Sequence, residues 1–330
     1  EYKRYLDGLK ASVLTAFYTP EPVTDAIMRM LYNAGVVPVR ALEPSAGTGA
    51  FAEYLRRYNE EAEITCFEKD PLTVLILHRL HPDDTVRVQG FETIEPAYEG
   101  HFDLITSNIP FGDVSLFDPA FSSSRDPVRR QGAWAIHNYF FMKSVDLVRD
   151  GGLVAFITSQ GVADAERNRP VREWLMERCD LVAAVRLPNN LFTDHAGTEV
   201  GSDLIVLQKN SAARPLSERQ RDFIETRTLS NGITVNNSFQ SLDRVVQTSA
   251  KVGTNPYGKP AMEFTHAGGV EGIARALADM LAEDMERHFN RELYESHAPK
   301  TAPRQYREWQ TETVSPRQAH DDIGQARNTE

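Results

Sequence analysis

Residues 39–58 restrict the fold of this chain more than any other stretch. Val39-Arg40-Ala41-Leu42-Glu43 reads as a short strand, Pro44-Ser45-Ala46-Gly47-Thr48-Gly49-Ala50 as a glycine-rich turn, and Phe51 to Tyr58 as a helix. Glycine permits the sharp turn and lets the backbone approach a ligand closely. The turn is neither the Gly-x-x-x-x-Gly-Lys-Ser/Thr phosphate loop nor Gly-x-Gly-x-x-Gly. Glu43 stands where it would repel a nucleotide phosphate, and a carboxylate there suits a cationic ligand instead.

Further strand and helix units follow. Glu63-Ile64-Thr65-Cys66-Phe67-Glu68 reads as a second strand, with Asp70-Pro71 starting a helix to about Leu80. An acidic residue closing the second strand is the usual acceptor for a ribose hydroxyl, which suits Glu68; Asp70 suits an N-cap. A third strand runs from Thr85 to Gln89 and ends at Gly90-Phe91-Glu92. A fourth, Phe102 to Thr106, delivers Ser107-Asn108-Ile109-Pro110-Phe111-Gly112. Open α/β sheets hold their ligands at the carboxyl ends of strands. There the Asn108 oxygen and a backbone carbonyl can accept from an exocyclic amine, and the ring of Phe111 can stack on a flat base. Residues 132–150 are expected as a helix, Leu153 to Thr158 as a fifth strand, and Arg172 to Arg178 as a helix. Leu181 to Leu187 and Asp203 to Gln208 complete the strands. After the fourth strand and its turn, Asp113 to Gln131 is a long loop, of a length usually functional or mobile. Its Ser122, Ser123, Ser124, Arg125, Arg129 and Arg130 form a hydroxyl-rich basic cluster suited to phosphates. Upstream, residues 1–14 suggest a short amphipathic helix with Tyr5, Leu6 and Leu9 on one side. Val23 to Ala34 suggests another, with Thr19 as its cap.

Four of these segments, in this order, resemble the γ-ordered class of N6-adenine DNA methyltransferases. Phe17-Tyr18-Thr19-Pro20 resembles their cofactor-entry segment, and Leu42-Glu43-Pro44-Ser45-Ala46-Gly47-Thr48-Gly49 their S-adenosylmethionine loop. Asn108-Ile109-Pro110-Phe111 resembles the Asn-Pro-Pro-Tyr/Phe signature, with Ile109 replacing the first proline. Leu187-Pro188-Asn189-Asn190-Leu191-Phe192 resembles a segment of type I modification subunits. The whole is similar to methylase modules of mobile-element proteins, in which a Swi/Snf-type helicase region often follows. The resemblance implies a Rossmann-like α/β fold, with a mostly parallel seven-stranded sheet and a C-terminal antiparallel strand. It implies S-adenosylmethionine held by Tyr18, Thr19, Pro20, Glu43, Ser45, Ala46, Gly47, Gly49, Phe51, Glu68 and Phe91, and no metal. It assigns catalysis to Asn108, Ile109, Pro110 and Phe111, stacking on the target base to Phe111 and Phe192, and DNA phosphates to Arg125, Arg129 and Arg130. The family has an acidic residue where this chain has Gly90, so the acceptor for the cofactor's amino group passes to Glu92 or a backbone carbonyl.

Residues 1–210 are expected to form the catalytic domain, with 1–35 as a helical cofactor-entry segment. Residues 211–298 are expected as a mixed or helical extension, with one apolar face through Ile273, Leu277, Met280, Leu281 and Met285, and 299–330 as a polar linker or tail. A first residue of Glu1 suggests a piece of a longer chain. The two cysteines, Cys66 and Cys179, read as buried free thiols. The net charge of −11 lacks the basic footprint of a self-sufficient DNA binder. The partners implied are therefore double-stranded DNA together with a fused or associated helicase and target-recognition region, in the cytoplasm at the nucleoid and without a membrane. Methylation of RNA or of a protein glutamine, and a non-catalytic domain that binds cofactor or a partner, are the alternatives.

Overall fold

Seven strands form the central sheet: β1 Arg40–Glu43, β2 Glu63–Glu68, β3 Thr85–Val88, β4 Phe102–Asn108, β5 Val148–Ser159, β6 Cys179–Leu187 and β7 Ser202–Lys209. Their order is β3-β2-β1-β4-β5-β7-β6. Strands β1 to β5 pair in parallel, and β7 runs antiparallel to both β5 and β6. This is the mostly parallel sheet with a final antiparallel strand that the sequence led us to expect. The computed structural model describes residues 18–112, 114–193, 199–254, 258 and 260–299. The proposed helix at residues 1–14 and the chain from 300 onward lie outside them.

Side chains alternate between the two faces of a strand, and each face here has its own apolar core. Ala41, Leu104, Leu153, Ala155, Ile157, Leu204 and Val206 face one core, with the helices Glu21–Asn33 and Ala50–Tyr58. Leu42, Ile105, Val154, Phe156, Ile205 and Leu207 face the other, with the helices Ile136–Leu147 and Arg169–Arg178. Burial on both faces explains why the central strands are nearly all apolar. Cys66 and Cys179 are buried free thiols, one in each core. Burial pushes the Cys179 thiol up to about 12.

Residues 211–298 join the same structure. The helix Gly269–His288 packs on the helix Glu21–Asn33 and on β6, and buries Ile273, Leu277, Leu281 and Met285 in the first core. It stops at Phe289, and Asn290 caps a separate short helix, Arg291–Ser296, by accepting from the Leu293 amide (2.9 Å). Two small antiparallel pairs also belong to this region: β8 Thr226–Thr228 with β9 Thr234–Asn236, and β10 Ser249–Thr254 with β11 Pro260–Thr265.

Two segments depart most from expectation. The helix foreseen over 132–150 ends at Leu147, and Val148 to Gly152 belong to β5. Val148 is drawn into the sheet opposite Phe102, and Arg149 donates to Asp103 (2.5 Å), whose other oxygen accepts from the Val39 and Arg40 amides (3.0 and 2.8 Å). The long loop carries two short helices, Pro119–Ser122 and Pro127–Gly132. Asp118 and Asp126 cap them through the Ala120 and Val128 amides. Among the described residues no helix is long and apolar enough to cross a membrane.

Candidate active site

The strand order reverses between β1 and β4, where the crossovers leave on opposite sides and open a crevice at the carboxyl ends. The glycine turn lies there. Gly47 and Gly49 adopt φ of 54° and 87°, the left-handed region open to glycine. A Cβ on Gly49 would also collide with the His81 imidazole and Leu77. The turn is tied to both neighbouring strands. The Ala46 amide donates to the Phe67 carbonyl (2.9 Å), and the Ser107 hydroxyl donates to the Ser45 carbonyl (2.9 Å). Glu68 accepts from the Gly47 amide (3.0 Å) and the Asp70 amide (2.9 Å). Asp70 in turn caps the next helix through the Thr73 amide, as expected.

Glu43 is buried beneath this turn and accepts from the amides of Phe51 (3.4 Å) and Ala52 (2.8 Å), at the start of the helix Ala50–Tyr58. Burial pushes its carboxyl up to about 8; the two amides pull the other way, and the charges of Asp84 and Glu68 add to the rise. Phe51 is a core residue.

Thr19 is not a cap. Pro20 holds the N-cap position of the helix Glu21–Asn33, and no side chain caps it. The Thr19 hydroxyl is instead buried with no hydrogen-bond partner among the described residues. Tyr18 is exposed, and its ring edge lies 3.5 Å from where a Gly47 Cβ would stand. The structure thus brings Tyr18, Thr19, the glycine turn and Glu68 together.

On the other side of the crevice, Asn108 closes β4 opposite Ile157 of β5. The Ile109 amide donates to the Ile157 carbonyl (3.0 Å), which extends the strand pairing one residue further. Ile109 is buried and Phe111 half-buried. The Phe111 and Phe192 rings meet edge to face, with centroids 6.2 Å apart and planes at 75°. Phe192 is fully buried among core side chains, so it supports Phe111 and offers no open face of its own. Its turn is held by residues that sequence reasoning left aside: Asn189 accepts from the Phe264 amide (2.9 Å) and Asn190 from the His266 amide (3.0 Å). Asparagines beside a proline were the available signal, but their partners lie some seventy residues away in the chain.

Two further expectations are corrected. Phe91 lies inside the second core against Phe67, Tyr139 and Phe140, because its short helical turn points the ring inward. A Cβ on the neighbouring Gly90 would overlap the Glu92 carboxylate, so Glu92 fills the space that a side chain at position 90 would take. Arg129 is no free phosphate ligand. It makes a two-pronged ion pair with Asp146 (2.9 and 2.7 Å) and lies over the Phe121 ring at 4.3 Å. Arg125 and Arg130 are exposed, and Arg130 donates to the Ser124 carbonyl (2.5 Å).

The family profile described as N-6 DNA Methylase matches residues 8–255. The chain is 26% identical over 209 residues to Defense against restriction protein B of Escherichia phage P1, covering 62% of this chain and 9% of that protein. It is 26% identical over 239 residues to the type II methyltransferase M.XamI of Xanthomonas campestris pv. amaranthicola, covering 69% of this chain and 44% of that enzyme. It therefore spans less than half the length of either relative. Among solved structures, a modification subunit assigned to a type I restriction enzyme of Vibrio vulnificus YJ016 superposes with a TM-score of 0.50 at 15% identity. That match covers 73% of this chain and 63% of the other, a likeness of fold.

Proposed function

The chain belongs to the N-6 DNA Methylase family, and from that premise we propose that it methylates N6 of an adenine flipped out of duplex DNA. The cofactor is S-adenosylmethionine, which when bound supplies an electrophilic methyl group on a cationic sulfonium. The residues of the crevice fit such a group. Glu68 brings a carboxylate to the glycine turn, Glu43 braces the turn from below through the Phe51 and Ala52 amides, Gly47 bares backbone, and the buried Thr19 hydroxyl lacks a hydrogen-bond partner among the described residues. Glu92, standing in the side-chain space of Gly90, is the acceptor for an adenine amino group.

The observation that carries this reading is the anchoring of Asn108 to Phe111. The segment leaves a buried strand, is pinned through Ile109 to β5, and is linked through Ser107 to the glycine turn. Adenine N6 is a poor nucleophile because its lone pair is conjugated with the ring. The Asn108 side-chain oxygen and the Ile109 carbonyl accept its two hydrogens and draw the nitrogen towards a tetrahedral shape. The lone pair is then available for in-line attack on the methyl carbon, whose bond to sulfur would break as the new bond forms, and the amine proton, acidic only at that point, would pass to water. Pro110 holds Ile109 extended, so an isoleucine in place of the first proline keeps the carbonyl in use. Phe111 stacks on the base, with Phe192 as its support. Flipping is required because N6 cannot be reached for this geometry inside the stacked duplex.

Recognition of a target sequence belongs to a fused or associated region, with a helicase as its expected companion; the chain's own charge of −11 supports this division. The test is single-turnover transfer of labelled methyl to unmethylated genomic DNA, with RNA and protein as competing acceptors. Asn108→Ala should lose turnover by on the order of 10²–10³-fold, the usual cost of one preorganised polar group. Cofactor affinity, measured by calorimetry, should stay parental, because the interaction strengthens only towards the transition state. A folded, cofactor-binding Asn108→Ala protein that methylates at the parental rate would defeat the assignment. Transfer to RNA or to glutamine alone would move the reading to those acceptors.

A further inference from the structure

The two most exposed large apolar side chains among the described residues are both aromatic and both belong to the segment that follows the Asn108–Phe111 turn. Phe117 is 76% exposed and Trp134 68%, with Val114 at 59%. The Leu116 amide donates to the Ala133 carbonyl (2.9 Å), so each aromatic stands one residue beyond a partner in the same backbone bond. Large exposed apolar groups in a cluster mark an interaction site.

The frame beneath them is firm. Asp118, next to Phe117, accepts from the Tyr139 hydroxyl (2.7 Å) and Lys143 (3.1 Å). Phe121 is fully buried against Tyr139. Asp126 accepts from the Trp174 indole (3.1 Å), and Arg129 is locked to Asp146. Trp134 stands two residues before the helix Ile136–Leu147, whose Tyr139, Phe140 and Phe141 are core. The backbone that carries the two rings is thereby fixed on both sides of Phe117 and Trp134. The same segment exposes Arg125 and Arg130 in an acidic chain. Exposed π faces and exposed cations on one segment match bases and phosphates, whereas an apolar protein partner would need no such cations.

We propose that Phe117 and Trp134, on the segment that leaves the Asn108–Phe111 turn, form a stacking platform for duplex DNA, taking up bases left unstacked when the target adenine leaves the helix. This rests on the DNA-methylating reading above. Aromatic faces accept any base, so the platform contributes binding without sequence choice. The exposed arginines meet the phosphates on either side.

The test uses the full chain and fluorescence anisotropy with two labelled duplexes of one sequence, one fully paired and one with a single adenine opposite an abasic position. The parental chain should favour the duplex with the unpaired adenine, since the cost of unpairing is already met. Phe117→Ala and Trp134→Ala should each weaken binding to that duplex by on the order of tenfold. Phe117→Tyr and Trp134→Phe, which keep a ring, should bind like the parent; Phe117→Leu, which keeps only apolar bulk, should not. Calorimetry with S-adenosylmethionine on the same variants checks that the crevice is intact. Alanine variants that bind the unpaired-adenine duplex as the parent does would overturn the platform while leaving the methylase reading standing. A parental chain that neither binds nor methylates DNA would overturn both.

Discussion

Glu43 shows how a single side chain can be asked for two things at once. It must sit under the glycine turn, where burial disfavours charge, and it must accept from the amides that open the next helix. Burial wins, and the carboxyl is raised from 4.5 to about 8. The native chain therefore keeps a proton between about pH 4.5 and 8 that the unfolded chain has released. Glu43 favours the native state fully below that window, and the advantage is lost as pH rises through it, at about 1.4 kcal/mol per pH unit at most. Glu43→Gln, which carries no titrating proton, should fall less in stability between pH 5 and 8 than the parent. Urea unfolding at a series of pH values would show this; two parallel profiles would mean that Glu43 is ionised throughout.

At the level of elements, the antiparallel strands β6 and β7 are joined by a charge pair inside a sheet covered on both faces. Arg186 and Asp203 are register partners, both essentially unexposed, bonded at 2.9 and 3.1 Å. Arg186 also reaches Asp164 (2.9 Å) and lies over the Phe239 ring at 4.1 Å. The Asp164 carboxylate goes on to accept from the Asn236 amide (2.8 Å), which links β9 to the sheet. Such a pair is costly to bury but more costly to break. Arg186→Met should destabilise by about 3–5 kcal/mol, because Asp203 would be left buried without its partner. Arg186→Met with Asp203→Leu should recover much of that loss. Denaturant melts with unchanged slope are the measure. A double variant no more stable than the single one would show that the cost lies in packing rather than in the stranded carboxyl.

For the molecule as a whole, charge is the governing quantity. A chain of net charge −11 meets a polyanion only through local cations, and the structure separates the three arginines proposed for that task. Arg125 and Arg130 are exposed, whereas Arg129 is spent on Asp146 and Phe121. Replacing Arg125 and Arg130 together by alanine should flatten the dependence of DNA affinity on salt by about two phosphate contacts. Arg129→Ala should leave that slope alone and lower stability by about 1–3 kcal/mol, through the stranded Asp146 carboxylate. Anisotropy titrations over a range of salt, with thermal melts alongside, separate the two effects. A change of slope in Arg129→Ala equal to that of the double variant would return Arg129 to the DNA surface.

Local chemistry made much of this protein readable from sequence alone. Left-handed glycines at Gly47 and Gly49, the cap at Asp70, the apolar runs of β4, β5 and β7 and the asparagine closing β4 depend on neighbours close in the chain. Their patterns survive in the one-dimensional text. The apolar face through Ile273, Leu277, Leu281 and Met285 was visible for the same reason, though what it covers was not: its partners are the helix Glu21–Asn33 and β6. The tertiary structure alone decided which rings are open and which charges are free. Phe91, Phe111 and Phe192 each follow the end of a strand, yet Phe91 and Phe192 are buried by contacts from other elements while Phe111 stays half-open. Arg125, Arg129 and Arg130 share one short segment, and only the arrival of Asp146 from the next helix sets Arg129 apart. Burial and ion pairing are set by distance in space, and residues brought together by folding leave no periodic trace in the order of the chain.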